Sequence, residues 1–189
     1  MGNGLGMMLG GSIFGSNYVF SEQTWVSLGG YIVGEAADDE SGISVSLSSD
    51  GTIVAIGAWQ NDGNGSASGH VRVYQIVTGS WNQIGQDING EAIGDGSGFS
   101  VSLSSDGTIV AIGAHNNDGN GSASGHVRVY ENLSGTWTQV GVDIDGEAAG
   151  DQSGYSVSLS SNGNTVAIGS PYNDGNGSNS GKVHVYKLI

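Results

Sequence analysis

The chain has 189 residues, of which 36 are glycine, one is proline and none is cysteine, and its 18 acidic against 4 basic residues give a formal net charge of −14. That length can enclose a sizeable core. The lack of cysteine excludes a disulfide scaffold and any thiolate metal centre. The negative balance excludes a surface built for nucleic acid or anionic lipid and suits cations or basic partners.

In chain order, Met1 to Gly11 holds five glycines and no basic residue, so no signal peptide is visible in it. Residues 1–24 are expected to form an N-terminal segment with one latch strand at Asn17-Tyr-Val-Phe20, and residues 25–189 a set of repeats starting near 25, 81 and 137. Trp25, Trp81 and Trp137 mark the period, each 56 residues from the next. The serine-rich run Ser41–Gly51 returns at Ser97–Gly107 and, with Asn162 for the aspartate, at Ser153–Gly163. Asp62–Tyr74 returns unchanged at Asp118–Tyr130, and again at Asp174–Tyr186 with Asn179, Lys182 and His184 at the altered positions. A fixed period of this length marks supersecondary units that bury their faces only against neighbours.

One repeat resolves into four strands. Phe99-Ser-Val-Ser-Leu-Ser104 alternates apolar and polar residues, the period of a strand. Asp106-Gly107 is a hairpin dipeptide. Thr108–Gly113 is β-branched and apolar on both faces, as in a strand covered on both sides. A polar loop over 115–125 follows, then the alternating strand His126–Tyr130 and a fourth strand over 137–144 of less even pattern. No segment has helical apolar spacing. The chain is therefore expected to be all-β, a β-propeller of four-stranded antiparallel blades with about three blades per chain; a β-solenoid is the alternative. The serines at 44, 46 and 48 should give a blade face low relief, while Val45 and Leu47 fill the gap to the next blade.

The stretch Gly98–Ala114 and the following Gly125-His-Val-Arg-Val-Tyr130 resemble the FG-GAP repeat of integrin α chains and microbial surface proteins. Ser97-Gly98 stands near the family's Phe-Gly, and Ile112-Gly-Ala114 and Ile168-Gly-Ser-Pro171 near its Gly-Ala-Pro. The resemblance covers 25–189 and implies a propeller, an extracellular or cell-surface location and a non-catalytic role. It also implies a calcium loop between the first two strands, but here that loop is Ser-Ser-Asp-Gly-Thr, and one carboxylate (Asp50 or Asp106) cannot supply six to eight oxygens. No cofactor or metal is expected, with Asp62, Asp118 and Asp174 as weak candidates against an Asx-turn alternative.

About three blades do not close a ring. Asn17-Tyr-Val-Phe20 and residues 25–33 read as a third and a fourth strand without the first two, and the last repeat carries three strands without a fourth. The expected partner is a second copy, two chains closing a six-bladed ring; missing blades of a longer chain, or open head-to-tail association, are the alternatives. Membrane insertion is not expected, since no run of about 20 apolar residues occurs.

The expected function is a non-catalytic extracellular or surface scaffold for protein–protein interaction, adhesion or self-assembly, with carbohydrate binding as the alternative. Candidate ligand-binding residues are Trp25, Trp81 and Trp137, which could stack on sugars or anchor blade packing, and His70, Arg72, His126 and Arg128, which share strand faces with Tyr74 and Tyr130 and could instead pair with neighbouring acids. Glu35, Glu91, Glu147, Asp39, Asp95 and Asp151 are read as solvated turns, or as a negative collar on one rim. His115, unrepeated, is read as a loop residue. No nucleophile elbow, phosphate loop or zinc signature is present.

Overall fold

The alternating Ser-x-Ser-x pattern and the β-branched run behind it fold as the sequence indicates. A computed structural model describes residues 23–189, and the latch strand expected at 17–20 lies outside them. Among the described residues there are thirteen strands and no helix. The first unit holds β1 (Ser44–Leu47), β2 (Ile53–Ala58), β3 (His70–Val77), β4 (Ser80–Gln83) and β5 (Ile88–Asn89) in one antiparallel sheet. The second repeats it with β6 (Ser100–Leu103), β7 (Ile109–Ala114), β8 (His126–Leu133), β9 (Thr136–Gln139) and β10 (Ile144–Asp145). The third has β11 (Ser156–Leu159), β12 (Thr165–Ser170) and β13 (Lys182–Lys187).

The fold is all-β and propeller-like, with three wedges in succession. The inner strands β1, β6 and β11 neighbour one another while each sheet extends outward from them. The fourth strand of each full blade is not continuous as expected. It is cut into β4 and β5, or β9 and β10, which pair with opposite ends of β3 or β8. The break holds Gly85 and Gly141, both at positive φ, and lets the outer edge turn. The Asp-Gly turn is also looser than a two-residue hairpin: Gly51 donates its N–H to the Ser48 carbonyl, so residues 48–52 form the connection.

The core lies between blades. Val71 and Val73 of the first blade pack with Val101, Leu103, Val110, Ile112 and Trp137 of the second, and Val127 of the second with Val166 and Ile168 of the third. Each such aliphatic side chain contributes about 1.5–3 kcal/mol on burial. The inner strands differ from expectation in direction. Val101 and Leu103 are buried against the preceding blade, whereas Val45 and Leu47, with no blade before them among the described residues, are 63% and 60% exposed. The serines face the following blade and bond to it: Ser44 Oγ donates to the Gly98 carbonyl at 2.7 Å, and Leu103 N donates to Ser46 Oγ at 2.9 Å. The small residues therefore bridge blades as well as keeping the face flat. Gly57 marks the closest approach, since a Cβ there would fall inside the Gly98 carbonyl.

Candidate functional site

Two side chains at the start of β3, and the same two on β8, each build a cluster of ionisable groups. Alternation puts His70 and Arg72 on one face, and both are buried, as are His126 and Arg128. Arg72 donates to the Val33 carbonyl at 3.2 Å and pairs with Glu35 at 3.1 Å; Arg128 donates to the Asn89 carbonyl at 3.0 Å and pairs with Glu91 at 3.2 Å. Arg128 thus ties its strand to β5 and the turn beyond it, and Arg72 does the same with residues 33–35, although the fourth strand expected at 25–33 does not form. The guanidinium carbons also lie 5.7 Å from the Tyr74 and Tyr130 ring centres.

The histidines face the other carboxylate oxygens. His126 Nδ1 stands 3.9 Å from Glu91 Oε2 and 4.0 Å from Asp143 Oδ2, and His70 Nδ1 stands 3.9 Å from Glu35 Oε2. Donor atoms of Glu35, His70 and Asp87, and of Glu91, His126 and Asp143, all lie within 4.8 Å of one another. Burial lowers the pKa of both histidines, against the raising effect of Asp87 and Glu35 on His70 and of Asp143 and Glu91 on His126. Both imidazoles are therefore neutral near pH 7. In the third copy Lys182 replaces the histidine, and its Nζ bonds both carboxylate oxygens of Glu147 at 2.7 Å. Sequence reasoning missed Asp87 and Asp143 here. The available signal was the recurrence of Gln83 with Asp87 and Gln139 with Asp143, four residues apart within the broken outer strand.

The other candidates are spread over the blades. Trp137 is buried, and Trp81 is partly buried; their indole N–H groups donate to the Ile84 and Leu28 carbonyls at 2.8 and 2.9 Å. Both rings pack against the preceding segment, the anchoring role weighed for them, and the stacking face of Trp137 is closed. Trp25 is fully exposed. The three loop aspartates cap their own loops: Asp62, Asp118 and Asp174 accept from the backbone N–H of Ala67, Ala123 and Asn179 at 2.7–2.8 Å. Nor are Asp39, Asp95 and Asp151 solvated. They are buried and accept from Asn61, Asn117 and Asn173, joining each turn to the next polar loop. His115 lies in a turn, but it is buried among Trp59, Phe99 and Tyr155, in an aromatic row that continues to Tyr172.

At the far end of the arc, the outer edge of β13 has no partner strand among the described residues. An apolar recess of about 260 Å³ opens there, lined by Val140, Gly141, Leu159, Gly163, Val166 and Tyr186 among others. One period earlier these residues are Ile84, Gly85, Leu103, Gly107, Val110 and Tyr130, the surroundings of Trp137.

The model of the FG-GAP repeat matches residues 34–74 and 142–186. Between them lies the copy whose Asp118–Tyr130 is identical to Asp62–Tyr74. Among solved structures, one from Bacteroides uniformis, named as a 6-phosphogluconolactonase, is similar at 16% identity with a TM-score of 0.57 over 83% of this chain and 38% of its own. A Kuenenia stuttgartiensis hydrazine synthase is similar at 13% identity and a TM-score of 0.46 over 84% of this chain and 36% of its own. The chain thus spans well under half the length of either. No curated protein matches it.

Proposed function

Because this chain is built of FG-GAP repeats, we propose that it is a non-catalytic extracellular or surface scaffold that works by joining copies of itself. The recess beside β13 carries this reading. It reproduces the surroundings of Trp137 one period on, and Trp25, the matching indole, stands fully exposed at the opposite end of the arc.

The faces around them match as well. Val183 and Val185 on β13 are 68% and 67% exposed, whereas their counterparts Val71 and Val73 are buried against the following blade. Val45 and Leu47 are exposed where Val101 and Leu103 are buried against the preceding one. The blade-to-blade step seen twice within the chain, applied once more to a second copy, covers all of these surfaces together. The partner's first blade then follows the third, its residues 25–33 lie along β13, and its Trp25 enters the recess. Two chains so joined close on themselves as six blades, satisfying the exposed strand edges. Among the described residues no helix is long and apolar enough to cross a membrane.

Light scattering on the 189-residue chain tests this. Twice the 19.0 kDa chain mass is expected, falling toward 19.0 kDa on Trp25→Ala with circular dichroism unchanged. A wild-type chain that remains at 19.0 kDa at high concentration overturns it. Glycan binding keeps one supporting feature: Tyr155 and Tyr172 are 39% and 43% exposed at the end of the aromatic row. Glycan binding lost on Tyr172→Ala would favour that second reading.

A further inference from the structure

The two histidine clusters have the dimensions of ion sites rather than of hydrogen-bonded networks. The His126 side chain makes no hydrogen bond among the described residues; it is 1% exposed, its Nε2 is buried without a partner, and its Nδ1 looks toward two carboxylate oxygens at 3.9 and 4.0 Å. Those separations exceed the reach of a hydrogen bond, about 3.2 Å for N–H to O. A shared cation would draw the donors together by about half an ångström, since two donors each about 2.1 Å from zinc stand about 3.4 Å apart at the tetrahedral angle.

Each carboxylate is also held so that one oxygen stays free. Gln139 Nε2 donates to Asp143 Oδ1 at 2.6 Å and Gln83 Nε2 to Asp87 Oδ1 at 2.7 Å. Arg128 and Arg72 take Glu91 Oε1 and Glu35 Oε1. The remaining oxygens of Glu91 and Asp143, and that of Glu35, face the imidazole. Outer partners that orient ligands in this way are characteristic of metal sites. Two carboxylates against one guanidinium leave a negative balance for a cation to neutralise.

The third copy exchanges the two roles. Lys182 stands where the first two copies have His70 and His126, His184 stands where they have Arg72 and Arg128, and the Lys182 ammonium takes both oxygens of Glu147 in place of the guanidinium. Among the described residues no cluster of this kind forms there.

We propose that each cluster binds one divalent transition-metal ion of the zinc class, held by Glu35, His70 and Asp87 in the first blade and by Glu91 Oε2, His126 Nδ1 and Asp143 Oδ2 in the second, with water completing the shell. One imidazole nitrogen and two carboxylate oxygens suit zinc and its neighbours. Calcium, which wants six to eight oxygens, is disfavoured. The ion would pin three segments together: the third strand, the break in the outer strand, and the turn that follows the preceding outer strand.

Titration of the EDTA-treated 189-residue protein with zinc chloride near neutral pH, by calorimetry, tests the proposal. Two equivalents per chain are expected, with a higher melting temperature. His70→Gln or His126→Gln should each leave one equivalent, and the double variant none. Asp87→Asn and Asp143→Asn give the same readout through less buried groups, should a histidine variant fail to fold. Cobalt in place of zinc should give visible d–d absorption that these variants abolish one site at a time. Absence of binding to the wild type overturns the proposal. So does zinc uptake that survives in the folded double variants, which would place the ions elsewhere, or equal saturation by calcium.

Discussion

The indole N–H of Trp137 donates to the carbonyl of Ile84 across the gap between the first two blades, at 2.8 Å, and the ring lies over Gly85. The break between β4 and β5 is therefore a socket: Gly85 gives the ring room and Ile84 turns its carbonyl toward it. Trp81 makes the same contact with Leu28 and Gly29. Removal of a buried tryptophan costs about 3–5 kcal/mol, and Trp137→Ala should lower stability by that amount in urea melts. Trp81→Ala should cost less, because its ring is only partly covered.

The glycine in the Ile-Gly-Ala motif offers an internal comparison. At Gly57 a Cβ meets the Gly98 backbone, so Gly57→Ala should cost at least about 1–3 kcal/mol, the scale of overpacking. At Gly169 the nearest atom is the Ser156 hydroxyl, which can turn away. Gly169→Ala should therefore leave the melting of the single chain nearly unchanged. It should nevertheless weaken self-association, because the proposed pairing would bring the partner's Gly42 against it. Melting curves and sedimentation of the two variants check both halves.

Arg128 is buried on Glu91 and on the Asn89 carbonyl, so Arg128→Met leaves a half-buried carboxylate and a carbonyl without their donor. Hydrogen bonds to charged groups are worth about 1.5–3 kcal/mol, and the partial exposure of Glu91 puts the expected loss at the lower end, about 1.5 kcal/mol, by urea denaturation. Arg128→Lys should not restore it, because one ammonium cannot serve both acceptors in the planar geometry of the guanidinium.

Burial lowers the pKa of His115 from the ordinary 6.5. The unfolded chain then takes up a proton that the folded chain refuses as pH falls. Stability is thus full above about pH 6.5 and declines as the pH drops toward the lower folded value. His70 and His126 act with the same sign. His115→Phe should flatten this part of the profile, measured as unfolding free energy against pH. A further decline is expected below the carboxylate range. Hydrogen bonds from Ser104, the Thr108 amide and the Thr108 hydroxyl lower the pKa of Asp106, and similar bonds led by the Thr52 amide lower that of Asp50.

Much of this fold was legible in the chain. The period of the tryptophans, the Ser-x-Ser-x alternation and the β-branched second strand gave the blades, because those patterns depend on local geometry. What escaped depended on the neighbouring copy. Val45 and Val101 are the same residue in the same motif, yet one is exposed and one buried, since among the described residues only the second has a blade before it. The split of the outer strand at Gly85 follows from a ring that arrives from 52 residues away, and period-two reasoning does not see it. The site was half legible. His70, Arg72, His126 and Arg128 stood out as a repeated trio with tyrosine, but Glu35, Asp87, Glu91 and Asp143 reach them from separate segments, and sequence spacing alone does not bring those together.

The register within the chain gives the most direct test of joining between copies. Gln75 faces Asn82 between β3 and β4, so two periods on Lys187 should face Val26 of a second copy. The chain has no cysteine, so Val26→Cys and Lys187→Cys can be placed in separate chains. Mixed and oxidised, the two variants should form a disulfide-linked pair in high yield, while neither alone does so. A mixture that remains unlinked, or links no better than a pair moved two residues out of register, would contradict the account.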